Sequence, residues 1–249
     1  MASCAVNQYQ GENENIITGT VNITGKTTVN STLTAVPKLN KSGSYKFQWL
    51  RAGNPINGAN SMHHKLTTAD YQKKISVKMI KADDNIFLTS ETTPDVTFDT
   101  LNLASLSDYI ESKGSSADNP ALIVVSGNDY SRLADYITEN VTNAYFFELD
   151  LTKMTGQTLP ERIFFDFANL TGVQLSSKIT TVEDEAFLGC TELRKLSFAS
   201  DSEIDITFTA EDFSACDLYL YGAEYEMAEL DEKTWKDKTW KSINRSNTN

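Results

Sequence analysis

Phe187-Leu188-Gly189-Cys190-Thr191-Glu192-Leu193-Arg194-Lys195-Leu196-Ser197-Phe198 decides how the C-terminal part is read, because it has an earlier copy. That copy is Phe164-Phe165-Asp166-Phe167-Ala168-Asn169-Leu170-Thr171-Gly172-Val173-Gln174-Leu175. Phe164 and Phe187, Phe167 and Cys190, Leu170 and Leu193, Val173 and Leu196, and Leu175 and Phe198 are each 23 residues apart, and Leu159 and Val182 extend the register backwards. Apolar residues recurring in matching slots predict a solenoid, in which each coil buries its apolar face on the next. Phe213 and Cys216 repeat the Phe187/Cys190 step 26 residues on, and Leu218 and Leu220 follow as a shortened strand. Insertion and truncation of this kind mark a terminal coil.

Upstream, Leu103, Leu106, Tyr109 and Ile110 fall at helical spacing, Ala121-Leu122-Ile123-Val124-Val125 reads as a buried strand, and Leu133, Tyr136 and Ile137 mark a second helix capped by Asp129 or Ser131. Tyr145-Phe146-Phe147-Glu148-Leu149-Asp150-Leu151 reads as the first rung. Residues 101–150 are therefore expected to cap the array, since an uncovered first coil would expose its apolar face.

Charge divides the chain of 249 residues. Residues 1–100 carry ten Lys/Arg and eight Asp/Glu, whereas the remainder carries twelve and twenty-six, and the whole has a net charge of -12. A step of this size, with the polar stretch Thr89-Ser90-Glu91-Thr92-Thr93-Pro94-Asp95 beside it, predicts two domains. In the first, Thr20-Val21-Asn22-Ile23-Thr24, Leu33-Thr34-Ala35-Val36, Tyr45-Lys46-Phe47-Gln48-Trp49 and Ile75-Ser76-Val77-Lys78-Met79 alternate polar and apolar, the period of strands with one buried face. Turn residues separate them, and a β-sandwich with Trp49 at its centre is expected. Residues 1–16, rich in Asn, Gln and Gly, read as a flexible leader.

Two resemblances follow from these residues. Gly19–Gly25, Ser31–Ala35, Tyr45–Trp49, Gly53–Ala59 and Leu66–Asp70 ahead of Lys74–Met79 together resemble bacterial immunoglobulin-like repeats over residues 17–97, although Gln72 stands where that family often has glycine. Val182–Leu193, with its Ala-Phe-x-Gly-Cys-x-x-Leu pattern, resembles the BspA-like leucine-rich repeat, and Thr234–Ile243 resembles its tryptophan-containing cap. The resemblances imply a multidomain chain: an all-β immunoglobulin-like sandwich, then an α/β capped short leucine-rich repeat solenoid over 101–249, with its C-terminal cap at 221–245. They also imply a bacterial cell-surface or secreted location.

The composition limits the chemistry. The acidic balance argues against nucleic acid, and no apolar run approaches the ~20 residues of a membrane-spanning helix. His63 and His64 are the only histidines and are adjacent, so on a strand they point to opposite faces; no metal and no cofactor are expected. Cys190 and Cys216 occupy corresponding slots and read as small buried hydrophobes. Acidic pairs are numerous, so a carboxylate-based glycoside hydrolase is one alternative, and a purely structural surface component is another. Ala2-Ser3-Cys4 matches the end of a lipoprotein signal without its apolar run, so Cys4 is either a lipidation site or incidental. The expected function is non-enzymatic adhesion, with no catalytic residue, to an extracellular protein or glycan. Alternation along the rungs places Glu148, Gln174, Ser197 and Tyr219 in one outward column, flanked by Gly172, Lys195 and Tyr221. The candidate binding residues are Glu148, Gln174, Lys195, Ser197, Tyr219 and Tyr221.

Overall fold

The computed structural model describes residues 18–40, 42–81, 87–199, 205–206, 208, 211–221 and 233–246. The expected leader and Cys4 lie outside the described residues, as does most of the N-terminal half of the expected C-terminal cap. The chain divides into two compact units, Met1–Thr97 and Phe98–Asn249.

In the first unit the alternating segments form strands β1 (Gly19–Thr24), β2 (Thr32–Leu39), β3 (Tyr45–Arg51), β4 (Asn54–Pro55), β5 (His63–Lys65), β6 (Ile75–Lys81) and β7 (Phe87–Thr89). They pair antiparallel in two sheets, β1-β2-β5 and β4-β3-β6-β7. Period-two patterning puts Val21, Leu33, Ala35, Trp49, Ile75, Val77 and Met79 inside. The Trp49 indole N–H donates to the Ser61 carbonyl (2.9 Å), which satisfies its polar edge within the core. The polar stretch after β7 is tied down: Val77 N–H donates to Ser90 Oγ and Ile75 N–H to Thr93 Oγ1, both at 3.0 Å.

The second unit is built on one parallel sheet. Its strands are β8 (Phe98–Asp99), β9 (Ala121–Gly127) and β10 (Phe147–Met154), with helix α1 (Leu106–Lys113) between the first two and α2 (Tyr130–Asn140) between the next two. Asp129 caps α2 by accepting the Arg132 N–H (2.9 Å). Beyond β11 (Thr158–Leu159) come β12 (Leu170–Gln174), β13 (Thr181–Val182), β14 (Lys195–Ala199), β15 (Asp205–Ile206) and β16 (Asp217–Tyr221). A hairpin of β17 (Thr234–Trp235) and β18 (Lys238–Thr239) precedes β19 (Ser242–Ser246). The main sheet has seven strands in the order β19-β16-β14-β12-β10-β9-β8, and β11-β13-β15 form a smaller parallel sheet.

This architecture corrects the expected fold class. An immunoglobulin-like sandwich followed by a leucine-rich repeat solenoid is not what the chain forms. It is mostly strand, with a seven-stranded parallel sheet and two helices among the described residues, and so belongs to an α/β or β class. The physical reason lies in residues 98–154. Residues 101–150 are expected to cover the array as a cap whose last segment, 145–151, is the first rung, but β9 from within that cap and β8 from ahead of it hydrogen-bond through β10 into the sheet that carries the repeated strands. A parallel strand there satisfies its backbone groups only by joining its neighbour's ladder, so the non-repeating and repeating sequences share one sheet. The far end behaves the same way, since β19, taken from the sequence as cap, pairs with β16 from Asp217↔Ser242 to Tyr221↔Ser246.

Inside this sheet Ile123, Leu149, Val173, Leu196 and Leu218 are buried in register. Behind them runs an aromatic column. The ring centroids of Phe164 and Phe187 are 5.8 Å apart, those of Phe187 and Phe213 6.4 Å, and Phe213 stacks on Trp240 at 4.3 Å and 6°. The turns between are laddered by Arg162 N–H to Asp184 O, Phe164 N–H to Ala186 O and Asp166 N–H to Leu188 O. Left-handed backbone recurs at the 23-residue interval, at Arg162 and Glu185 and at Asp166 and Gly189.

Candidate functional site

The outward face of the main sheet is defined by side chains that alternate with the buried row. Register assigns them to two columns. One runs Leu122, Glu148, Gly172, Lys195, Asp217, Ser242, and the other runs Val124, Asp150, Gln174, Ser197, Tyr219, Asn244. Tyr221 lies one step further along β16, beside Ala199 and Ser246.

The expected column is corrected at Glu148. Phe147 pairs with Leu170, but Glu148 pairs with Gly172, so Thr171 is an extra residue in β12. The Thr171 hydroxyl donates to the Phe147 carbonyl (3.1 Å), anchoring the irregularity. Glu148 therefore shares a column with Lys195, and Asp150 takes the place beside Gln174. The Glu148 side chain lies across Gly172: a Cβ there would sit 3.1 Å from Glu148 Cγ and Cδ. Ser197 is corrected as well. It was expected to be exposed but is only 1 % accessible, and its Oγ has no hydrogen-bond partner. By register it stands between Gln174 and Tyr219 on the adjacent strands.

Gln174, Lys195, Tyr219 and Tyr221 are half-buried on the same face. The Tyr219 and Tyr221 rings are nearly parallel, at 17° with centroids 6.4 Å apart, and Lys195 Nζ lies 5.3 Å from the Tyr219 centroid. Strand geometry accounts for the pair, because residues two apart project from the same side about 6.6–6.8 Å apart.

Sequence reasoning missed the polar frame. Asp217 accepts from Lys241 Nζ and from Ser242 Oγ, each at 2.7 Å. These hydrogen bonds hold the Asp217 carboxyl below the usual range, and the Asp217 contact pushes Lys241 up. Asp150 Oδ1 accepts both the N–H and the hydroxyl of Thr152, at 2.9 and 2.6 Å. Asn244 donates from Nδ2 to Leu218 O (3.3 Å) and Ser242 Oγ (2.9 Å). The alternation of Ser242-Ile243-Asn244 was the available signal for a last strand.

The other singled-out residues lie elsewhere. His63 and His64 point to opposite sides of β5. His63 Nδ1 lies 3.0 Å from the Thr34 hydroxyl. The His64 ring stacks on Trp49 at 5.6 Å, with Nε2 3.5 Å from Asp70 Oδ2. Cys190 and Cys216 are free thiols. Cys190 is half-buried rather than sealed, and its thiol donates to the Phe164 carbonyl (3.1 Å). Burial pushes both thiols up to about 12. Among the described residues no three His, Cys, Asp or Glu side chains converge as a metal site, and no helix is long and apolar enough to cross a membrane. Comparisons with protein-family models, curated proteins and solved structures find no match.

Proposed function

We propose that this chain is a non-enzymatic bacterial adhesion or binding protein, displayed at the cell surface or secreted, that recognises a macromolecule through the outward face of its parallel sheet. The observation that carries the reading is the Tyr219–Tyr221 pair, which stands half-buried on the sheet face between the polar Ser197 and Asn244 positions, with Lys195 against it. Tyrosines held by a rigid strand offer large contact area at low entropic cost. The motif resemblances of residues 17–97 and 182–193 support the surface location, and a lipid anchor at Cys4 would be its means of attachment.

The test is solid-phase binding of the full chain to immobilised collagen, laminin and polysaccharides, with Tyr219→Ala/Tyr221→Ala as comparison. Binding that is lost in the double variant, with an unchanged melting temperature, is the expected result. Equal binding by both proteins would move the recognition surface elsewhere.

A further inference from the structure

We infer that the ligand of this face is a neutral polysaccharide, with a pyranose ring lying against Tyr219 and Tyr221. The inference rests on the binding reading above and narrows its ligand class.

Three observations favour a neutral, hydroxyl-rich ligand. The first is charge. Asp217 is committed to Lys241 and Ser242, and Asp150 is committed to Thr152. The Lys195 ammonium lies near the Tyr219 ring. Asp217 and Lys241 neutralise one another, and beside them the face carries the Glu148 and Asp150 carboxylates and the Lys195 ammonium, so its charges are mixed in sign and no single-sign field draws a charged partner. The second is the surroundings of the rings. Across the strands from Tyr219 stand Ser197 and Asn244, and the exposed large apolar side chains among the described residues are Met62, Phe87, Leu101 and Leu122. Leu122 is on β9, which is separated from β16 by β10, β12 and β14. A protein partner's hot spot needs an apolar pocket around its anchor, and the tyrosines have none from their strand neighbours. A pyranose matches this setting, because its C–H face packs on an aromatic ring while its rim of hydroxyls meets amides and hydroxyls.

The third observation is Ser197. Its Oγ is buried and unpartnered at the position paired with Tyr219 on the next strand. A native structure rarely leaves such a group unsatisfied without a reason. A small rotation of the Tyr219 ring on ligand binding would open Oγ to a sugar hydroxyl. Asn244 spends both amide hydrogens within the protein, so its Oδ1 is directed to accept from the ligand.

The experiment is affinity electrophoresis of the full chain through gels containing laminarin, mannan or starch, with dextran sulfate as the acidic counterpart. At least one neutral polysaccharide should retard the protein, and added salt should leave the retardation unchanged. Tyr219→Ala should weaken it about tenfold or more, while Tyr219→Phe, which keeps the ring, should retain it. Tyr221→Ala provides a second variant should Tyr219→Ala lower the melting temperature. No retardation by any neutral polysaccharide overturns the inference, as does retardation by dextran sulfate alone or retardation that both alanine variants preserve. If collagen or laminin still binds in a Tyr219- and Tyr221-dependent way, the broader binding function stands and only the ligand class fails.

Discussion

In the first unit the deepest polar group is Asp70, fully buried and held by Arg51 Nε (2.8 Å), Thr67 N–H (2.9 Å) and Thr67 Oγ1 (3.1 Å), with His64 Nε2 at 3.5 Å. In the second, the column of Phe164, Phe187, Phe213 and Trp240 fills the interior from one turn to the next. The first unit joins short antiparallel strands, and a buried charge cluster ties β3, β5 and the turn at 67–70 to one another. The second joins parallel strands, whose connections must cross the sheet, and its aromatic rings bridge those crossings. Apolar burial is tolerant of small shifts, whereas a buried ion pair is costly to break and fixes one arrangement. The two units should therefore respond differently to the same perturbations.

The largest expected effect is Trp240→Ala. Trp240 is 1 % exposed, stacks on Phe213 and donates its indole N–H to the Trp235 carbonyl (3.2 Å). Its loss should cost about 4 kcal/mol. Calorimetry should show the transition of the second unit falling while that of the first stays in place. A common shift of all unfolding would break the comparison, because the units would then be a single cooperative body.

Asp70→Asn should cost about 3 kcal/mol, because Arg51 and His64 are left beside a neutral amide. Burial by itself raises the Asp70 carboxyl, but the contacts from His64, Arg51 and Thr67 outweigh it and hold the group well below the usual carboxylate range. A depressed folded value means that the contribution is complete above the unfolded value, roughly 4, and is lost as pH falls below it. The melting temperature of the first unit should therefore fall with acid more steeply in the wild type than in Asp70→Asn. Parallel acid profiles would remove Asp70 as the source.

How much of this was legible in the sequence differed between residues. The slots of Phe164 and Phe187 were readable because equal spacing keeps the same side chain inward on successive turns. The strand partners of Glu148 were not, because alternation fixes the face a residue takes but not which of two positions on that face, two residues apart, it stands beside: Glu148 pairs with Gly172 and not with Gln174. The burial of Ser197 was not legible either, because alternation reports the side of the strand and not how far the residues of the two adjacent strands close over it. The fold class was misjudged because periodicity reports which face of a strand is buried, not which sheet the strand joins. Alternation in the first unit was read correctly as strand, yet Asp70 was seen only as part of a motif, since its partners lie at positions 51 and 64.

Gly189→Ala should cost about 2 kcal/mol. Its φ of 82° is left-handed, and a Cβ would meet Asp166 Oδ1 at 2.1 Å and the Asp166 backbone N and Cα at 3.0 Å. Side-chain rotation of Asp166 relieves only the first of these, so adjacent turns would have to separate. Denaturant titration should show the loss in the second unit alone. A neutral result would mean that the turns slide freely and that the aromatic column, rather than the close approach at Gly189, sets their spacing.

The smallest effect sharpens the comparison from the other side. Gln72 has a φ of 54°, at the position where the resembled repeats often carry glycine, and its N–H donates to the Val96 carbonyl (2.9 Å). Its backbone is thus held left-handed, in a region that costs a side-chain-bearing residue about 1 kcal/mol. Gln72→Gly removes that cost but gives the unfolded chain more freedom, which offsets part of the gain. The net expectation is a stabilisation of about 0.5 kcal/mol in the first unit and none in the second. In the second unit Asp166 holds the same conformation with a φ of 60°, but its carboxylate packs against Gly189. Asp166→Gly should accordingly gain less, because relief of the backbone is accompanied by loss of that contact. Equal gains at both positions, measured by denaturant midpoint, would mean that the Asp166 side chain contributes nothing to the spacing of the turns.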